Sequence, residues 1–149
     1  MASVTRRARN DVDVALNMEE RLQQALERLL DRGLTITAIS VDALSREAGI
    51  ARATFYLHFR DKGELVARLI ARVADEVVGA GGLWFVHAED ARFEDLRAAM
   101  ARFFDAYLEH HAILAAAAET APYDRQVANL HTRMLERFVA ERRPAVQRI

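Results

Sequence analysis

Cysteine is missing from the chain altogether. Its absence excludes disulfides, thiolate metal sites and a cysteine nucleophile, and it fits a reducing cytoplasm. Proline occurs twice and glycine six times in 149 residues, too few turn formers for the many short strands of a sandwich or barrel. No apolar run approaches the roughly 18 residues of a membrane span, and the opening MASVTRRARNDVDV lacks the apolar stretch of a secretory signal. Glycine-rich phosphate loops, HExxH patterns and serine nucleophile elbows are also absent, so an enzyme is not expected. A surplus of one charge is lacking as well: 21 basic residues face 22 acidic ones, for a net charge of -1.

What remains is a chain 52% hydrophobic and 29% charged, a balance that folds rather than staying disordered. Its apolar residues recur at helical spacing, so an all-α fold is expected. Residues 1–17 read as a flexible amino-terminal arm whose Arg6, Arg7 and Arg9 are either solvated or able to track phosphates. The first amphipathic helix spans about Met18 to Arg32, with Leu22, Ala25, Leu26, Leu29 and Leu30 on one side and Gly33 as its stop. An extended connector, Leu34 to Ile39, follows. Ser40 reads as an N-cap, Val41 to Ala48 as a short helix, and Gly49 as the left-handed residue that ends it. A second short helix covers about Arg52 to Phe59. Short helix, glycine turn, short helix is the helix-turn-helix pattern, whose second helix presents its first residues to base edges in a major groove.

A longer helix is expected from Asp61 to Gly79, then a connector holding Trp84 and Phe85, a helix from Phe93 to about His110 and a short one from Ala112 to Glu119. The last helix is expected from Tyr123 to Arg142, with a break or kink at Pro144. Along the helix from Phe93 to about His110, Leu96, Met100, Phe103, Phe104, Tyr107 and Leu108 read as one apolar face. The run Glu109-His110-His111 is not read as a metal site, because adjacent helical residues point about 100° apart. No metal and no cofactor is expected.

The run Gly49-Ile50-Ala51-Arg52-Ala53-Thr54-Phe55-Tyr56-Leu57-His58-Phe59-Arg60-Asp61-Lys62 resembles the signature of the TetR (tetracycline repressor) family. That signature runs glycine, aliphatic, two variable positions, a small residue, threonine, apolar, tyrosine, an aromatic pair, and lysine three residues later. The resemblance covers about residues 18–70 and is architectural beyond. It implies a helix-turn-helix DNA-binding domain over 18–64 and a helical effector-binding and dimerisation body over 65–149, joined by a helix whose rotation would change the spacing of two heads. Members of the family usually continue for two more helices, so the body is expected to be incomplete, with a truncated form or a differently built dimer as the alternatives.

Carried over residue by residue, the resemblance implies that Arg52 and Ala53 meet bases, a guanidinium suiting guanine and a methyl suiting thymine. Ser40, Thr54, Tyr56, His58 and Lys62, the only lysine, fall at phosphate-contacting positions, where polar donors fix register without reading sequence. Ala51 departs from the serine often found there, removing a helix cap. Against these roles stand plainer ones: Ile50, Phe55 and Phe59 as a small core, Tyr56 as a packed aromatic, His58 as a surface imidazole and Arg52 as a solvated charge. Met100, Phe103, Phe104, Tyr107, Tyr123, Met134 and Phe138 are candidates for lining an effector pocket, with a filled core as the alternative, and His110, His111 or His131 as polar groups. The expected function is a cytoplasmic homodimeric transcription regulator, a repressor on a palindromic double-stranded operator, released by a small apolar effector. The alternative is a helical ligand-binding or interaction module that does not bind DNA by itself; near-neutrality favours it, since Ser40 to Lys62 carries only four basic residues against three acidic ones.

Overall fold

Six helices follow one another in the computed structural model, which describes residues 2–80, 90 and 92–147: α1 (Ala2–Asp31), α2 (Val41–Ala48), α3 (Arg52–His58), α4 (Lys62–Gly79), α5 (Phe93–Thr120) and α6 (Arg125–Gln147). Among the described residues all regular structure is helical. Two compact units make up the chain, Met1–Leu65 and Val66–Ile149.

In the first unit α1 lies against α2, and α2 against α3. Leu22, Ala25, Leu26 and Leu29 of α1, Ile36 and Ile39 of the connector, Leu44 and Ala48 of α2, Phe55 of α3, and Phe59 are all buried. Each large aliphatic side chain so removed from water contributes roughly 1.5–3 kcal/mol. The rings of Phe55 and Phe59 sit 5.3 Å apart, so these two of the three residues expected as a small core are buried together, while Ile50 is half-buried.

Local chemistry sets the short helices. The Ser40 hydroxyl accepts from the Ala43 amide at 3.0 Å, and Asp42 stands in the first turn of α2, where the helix dipole favours a negative charge. Gly49 closes α2 at φ 67° and ψ 37°, and the Gly49 and Ile50 amides donate to Arg46 and Ser45 carbonyls. A side chain at that φ would be strained. Arg21 of α1 donates from Nη2 to the carbonyls of Ala48 and Gly49, both at 3.0 Å, neutralising the carboxyl end of α2. Asp61 caps α4 by accepting from the Glu64 amide at 2.9 Å, while Glu64 accepts from the Arg60 amide at 2.7 Å.

In the second unit α5 lies against α6. Buried residues include Val73, Val77 and Val78 of α4, Ala99, Ile113, Ala116 and Ala117 of α5, and Val127, Met134 and Ala145 of α6. Asp124 caps α6 by accepting from the Gln126 and Val127 amides. The buried imidazole of His110 meets Glu76 through Nε2 at 2.8 Å. Arg142, only 8% exposed, donates to the carbonyls of Val78 and Phe138, and its guanidinium lies 3.7 Å from the Phe138 ring centroid, a cation–π contact.

Four expectations are corrected. Helix α1 starts at Ala2, where a loose arm over 1–17 was expected; the segment has neither glycine nor proline, so nothing in its chemistry interrupts a helix entered from Met18. A single α5 replaces two helices, because Ala112, Ile113, Ala116 and Ala117 continue its buried side past His111. Pro144 lies inside α6 rather than breaking it. So near the end of the helix the lost amide removes one backbone bond, and buried Ala145 and Arg142 hold the turn. The expected apolar face of α5 is not its buried one: Phe104 is 57% and Leu108 62% exposed, and the alanine side packs instead, since small side chains let helices approach closely. Trp84 and Phe85 lie outside the described residues.

Candidate functional site

Helix α3 has only seven residues, so its two sides are sharply divided. Phe55 is fully buried and Phe59, just beyond the helix, nearly so. Arg52, Ala53, Tyr56 and Leu57 are exposed, at positions that recur on one side of a helix, and Thr54 and His58 are half-buried between the two sides. The first turn of α3 has Ala51 at its N-cap with no side-chain hydrogen bond there, as the loss of the serine implies. The guanidinium carbon of Arg52 lies 5.7 Å from the Tyr56 ring centroid, one turn along. That contact holds the long side chain at the helix start, beside Ala53, where a bidentate donor would face outward.

Behind this surface is a scaffold of charges. Glu47 of α2 accepts from Arg28 at 2.7 Å and from Arg32 at 3.1 Å, both on or just after α1. The hydrogen bonds from Arg28 and then Arg32 hold the Glu47 carboxyl below its ordinary range. The Asp61 carboxyl is held low too, chiefly by the Glu64 amide it caps. These contacts fix α2 against α1, and thereby the platform from which α3 projects.

Lys62 stands differently from its expected place on a phosphate. Its ammonium donates to the carbonyls of Ile36 at 2.7 Å, Ile39 at 2.5 Å and Thr37 at 3.5 Å. An ammonium carries three N–H bonds, and three carbonyls of the connector ahead of α2 stand within reach of them. Ser40 is exposed, and its cap uses an acceptor lone pair, leaving the hydroxyl proton able to donate outward. Of the residues read from the sequence, Ser40, Arg52, Ala53 and Tyr56 therefore present outward groups. The sequence reading missed Leu57, 82% exposed; its signal was the spacing of four from Ala53.

The second unit holds a cavity of about 330 Å³. Phe103, Tyr107, Met134 and Phe138, four of the expected lining residues, do line it. Met100, Phe104 and Tyr123 do not; Tyr123 is 81% exposed, ahead of α6. The rest of the wall is Val77, Val78, Leu114, Ala115, Ala118, His131 and Leu135. Sequence reasoning missed the two alanines because it looked for bulky apolar groups, whereas a void forms where side chains are small. His131 and the Tyr107 hydroxyl are the polar groups of this wall, a composition that suits an apolar ligand with one or two polar atoms. Of the histidines considered as polar lining groups, His110 is instead taken by Glu76 and His111 by the Leu108 carbonyl. Among the described residues no group of three or more histidine or acidic side chains is placed to hold a metal.

Residues 22–69 match the family model of bacterial regulatory proteins, tetR family. Over 103 residues the chain is 29% identical to the HTH-type transcriptional regulator EthR of Mycobacterium tuberculosis (strains CDC 1551 / Oshkosh and ATCC 25618 / H37Rv) and of Mycobacterium bovis. The match covers 68% of this chain and 48% of those proteins, so the chain spans about half the length of the curated relatives it matches. A crystal structure described as a TetR-family transcriptional regulator from Mesorhizobium loti MAFF303099 shares the fold, with a TM-score of 0.65 and 18% identity over 90% of this chain and 68% of that one.

Proposed function

The chain belongs, through its amino-terminal helix-turn-helix, to the tetR family of bacterial regulatory proteins, and from that premise we propose that it is a sequence-specific regulator of transcription acting on double-stranded DNA. The observation that carries this reading is the exposed side of α3. Arg52, Ala53 and Tyr56 stand together on it, Ser40 caps the preceding helix, and both lie in the segment that the family model matches. Arg52 and Ala53 meet base edges, a guanine and a thymine methyl respectively. Ser40, Thr54, Tyr56 and His58 donate to phosphates and set the register.

The protein acts as a cytoplasmic homodimer on a palindromic operator, because two heads at fixed spacing are what a two-fold site requires. It is a repressor, and a small apolar effector entering the cavity beside Phe103, Met134 and Phe138 releases it. No enzymatic step is assigned to it. A head with so little excess positive charge gains modestly from counterion release, and a second head supplies the remaining affinity.

Selection of bound duplexes from a randomised library tests this. Enrichment of an inverted repeat, with binding that weakens steeply as salt rises, is the expected result. A chain that enriches no sequence and shifts no duplex at low salt is instead a helical ligand-binding module.

A further inference from the structure

Leu57 stands on the exposed side of α3 although the core does not use it. It is 82% exposed, four residues on from Ala53 and so on the same helical side. The inward side is already filled by Phe55. A single exposed leucine on an ordinary surface needs no explanation. This one shares a seven-residue helix with Arg52, Ala53 and Tyr56, on the side that the proposed function turns toward base edges.

A leucine side chain can neither donate nor accept a hydrogen bond, so most groups on a base edge gain nothing from it. The exception in the major groove is the C5-methyl of thymine. Packed against that methyl, Leu57 loses water from an otherwise wet apolar surface. Packed against cytosine, it would cover an amino donor and leave it without a partner. Four helical residues advance about 6 Å, nearly two base steps of about 3.4 Å, so Leu57 meets a different base pair from Ala53. We propose that Leu57 is a specificity-determining residue that selects thymine through its methyl group, extending the read sequence beyond the pairs met by Arg52 and Ala53. The proposal rests on the DNA-binding reading above.

The test uses the full chain and the duplex it most enriches from a randomised library, with each dT replaced by deoxyuridine in turn, which deletes only the methyl. For the unaltered protein one replacement per half-site should weaken binding about fourfold, the worth of one buried methylene-sized group. For Leu57→Ala the same replacement should cost nothing, and its library should lose the preference for dT at that pair. Leu57→Gln, equally compatible with an exposed helical position, should shift the preference away from dT there. Leu57→Ala responding to every replacement as the unaltered protein does, or enriching an identical sequence, overturns the assignment while leaving DNA binding intact. An unaltered chain that enriches no sequence overturns the DNA reading and this inference with it.

Discussion

The ammonium of Lys62 donates to the carbonyl oxygen of Ile39 at 2.5 Å, tying the first residue of α4 to the end of the connector that precedes α2. With the bonds to Ile36 and Thr37, this places the only lysine of the chain at the centre of a loop rather than on the outward surface. Replacing it by alanine leaves partly buried carbonyls without their charged donor. Hydrogen bonds to charged groups contribute roughly 1.5–3 kcal/mol, and because water reaches this loop the loss should fall near the lower figure, read as a shift in the denaturation midpoint. The salt slope of DNA binding should stay that of the unaltered protein. A slope smaller by about one would instead put Lys62 on a phosphate.

Arg52→Ala should relax base preference at one pair of each half-site, with a loss of about 1–3 kcal/mol on the preferred sequence and little on random duplex. Competition binding with the two duplexes measures the difference. Equal losses on both would make Arg52 a phosphate contact or a solvated charge.

Acid should loosen the first unit through Glu47. Its folded pKa lies below the ordinary 4.5 because Arg28 and Arg32 hydrogen-bond the carboxylate. Its contribution is complete above pH 4.5. Below that the unfolded chain takes up a proton that the folded one does not, so stability falls as pH drops through the folded pKa. Melting the Glu47→Gln variant from pH 7 downward should show a shallower decline than the parent. Some decline should persist, because Asp61 is also held below its ordinary 3.8 by the Glu64 amide. Parallel curves for variant and parent would remove Glu47 from the account.

Ser45 is 1% exposed in α2, and its hydroxyl has no hydrogen-bond partner. A buried hydroxyl without a partner costs about 1–3 kcal/mol, and alanine is the better helix former. Ser45→Ala should therefore raise stability by about 1 kcal/mol by urea denaturation, without altering operator affinity. A destabilised variant would show that the hydroxyl has a bonding role.

Filling the cavity should block ligand uptake without touching the reading head. Ala118 lines it, and Ala118→Trp places an indole in its space. Binding of an anilinonaphthalene sulfonate probe should weaken about tenfold, equivalent to about 1.4 kcal/mol, while DNA binding without the probe is unchanged. Undiminished probe binding would place the ligand site elsewhere.

Much of the head was legible from local chemistry. Ser40, Gly49 and the alternation of Leu44, Phe55 and Phe59 each act within a few residues of chain, through a cap, a left-handed turn and one buried side, so the sequence alone determined α2, the turn, α3 and the outward place of Arg52, Ala53 and Tyr56. Tertiary structure decided whatever depends on partners distant in sequence. Lys62 was expected on a phosphate by resemblance alone, and no local pattern announced the carbonyls that its ammonium meets in the connector 23 to 26 residues earlier. Arg142, which the sequence marked only as the end of the last helix, is buried and donates to the carbonyl of Val78, 64 residues away. Periodicity identified α5 as amphipathic but misassigned its buried side, because hydrophobicity ranks Phe104 and Leu108 above alanine, whereas helix packing rewards small groups that let backbones approach. The cavity followed the same rule: it lies beside Ala115 and Ala118, where side chains leave space, and no sequence pattern records an empty volume.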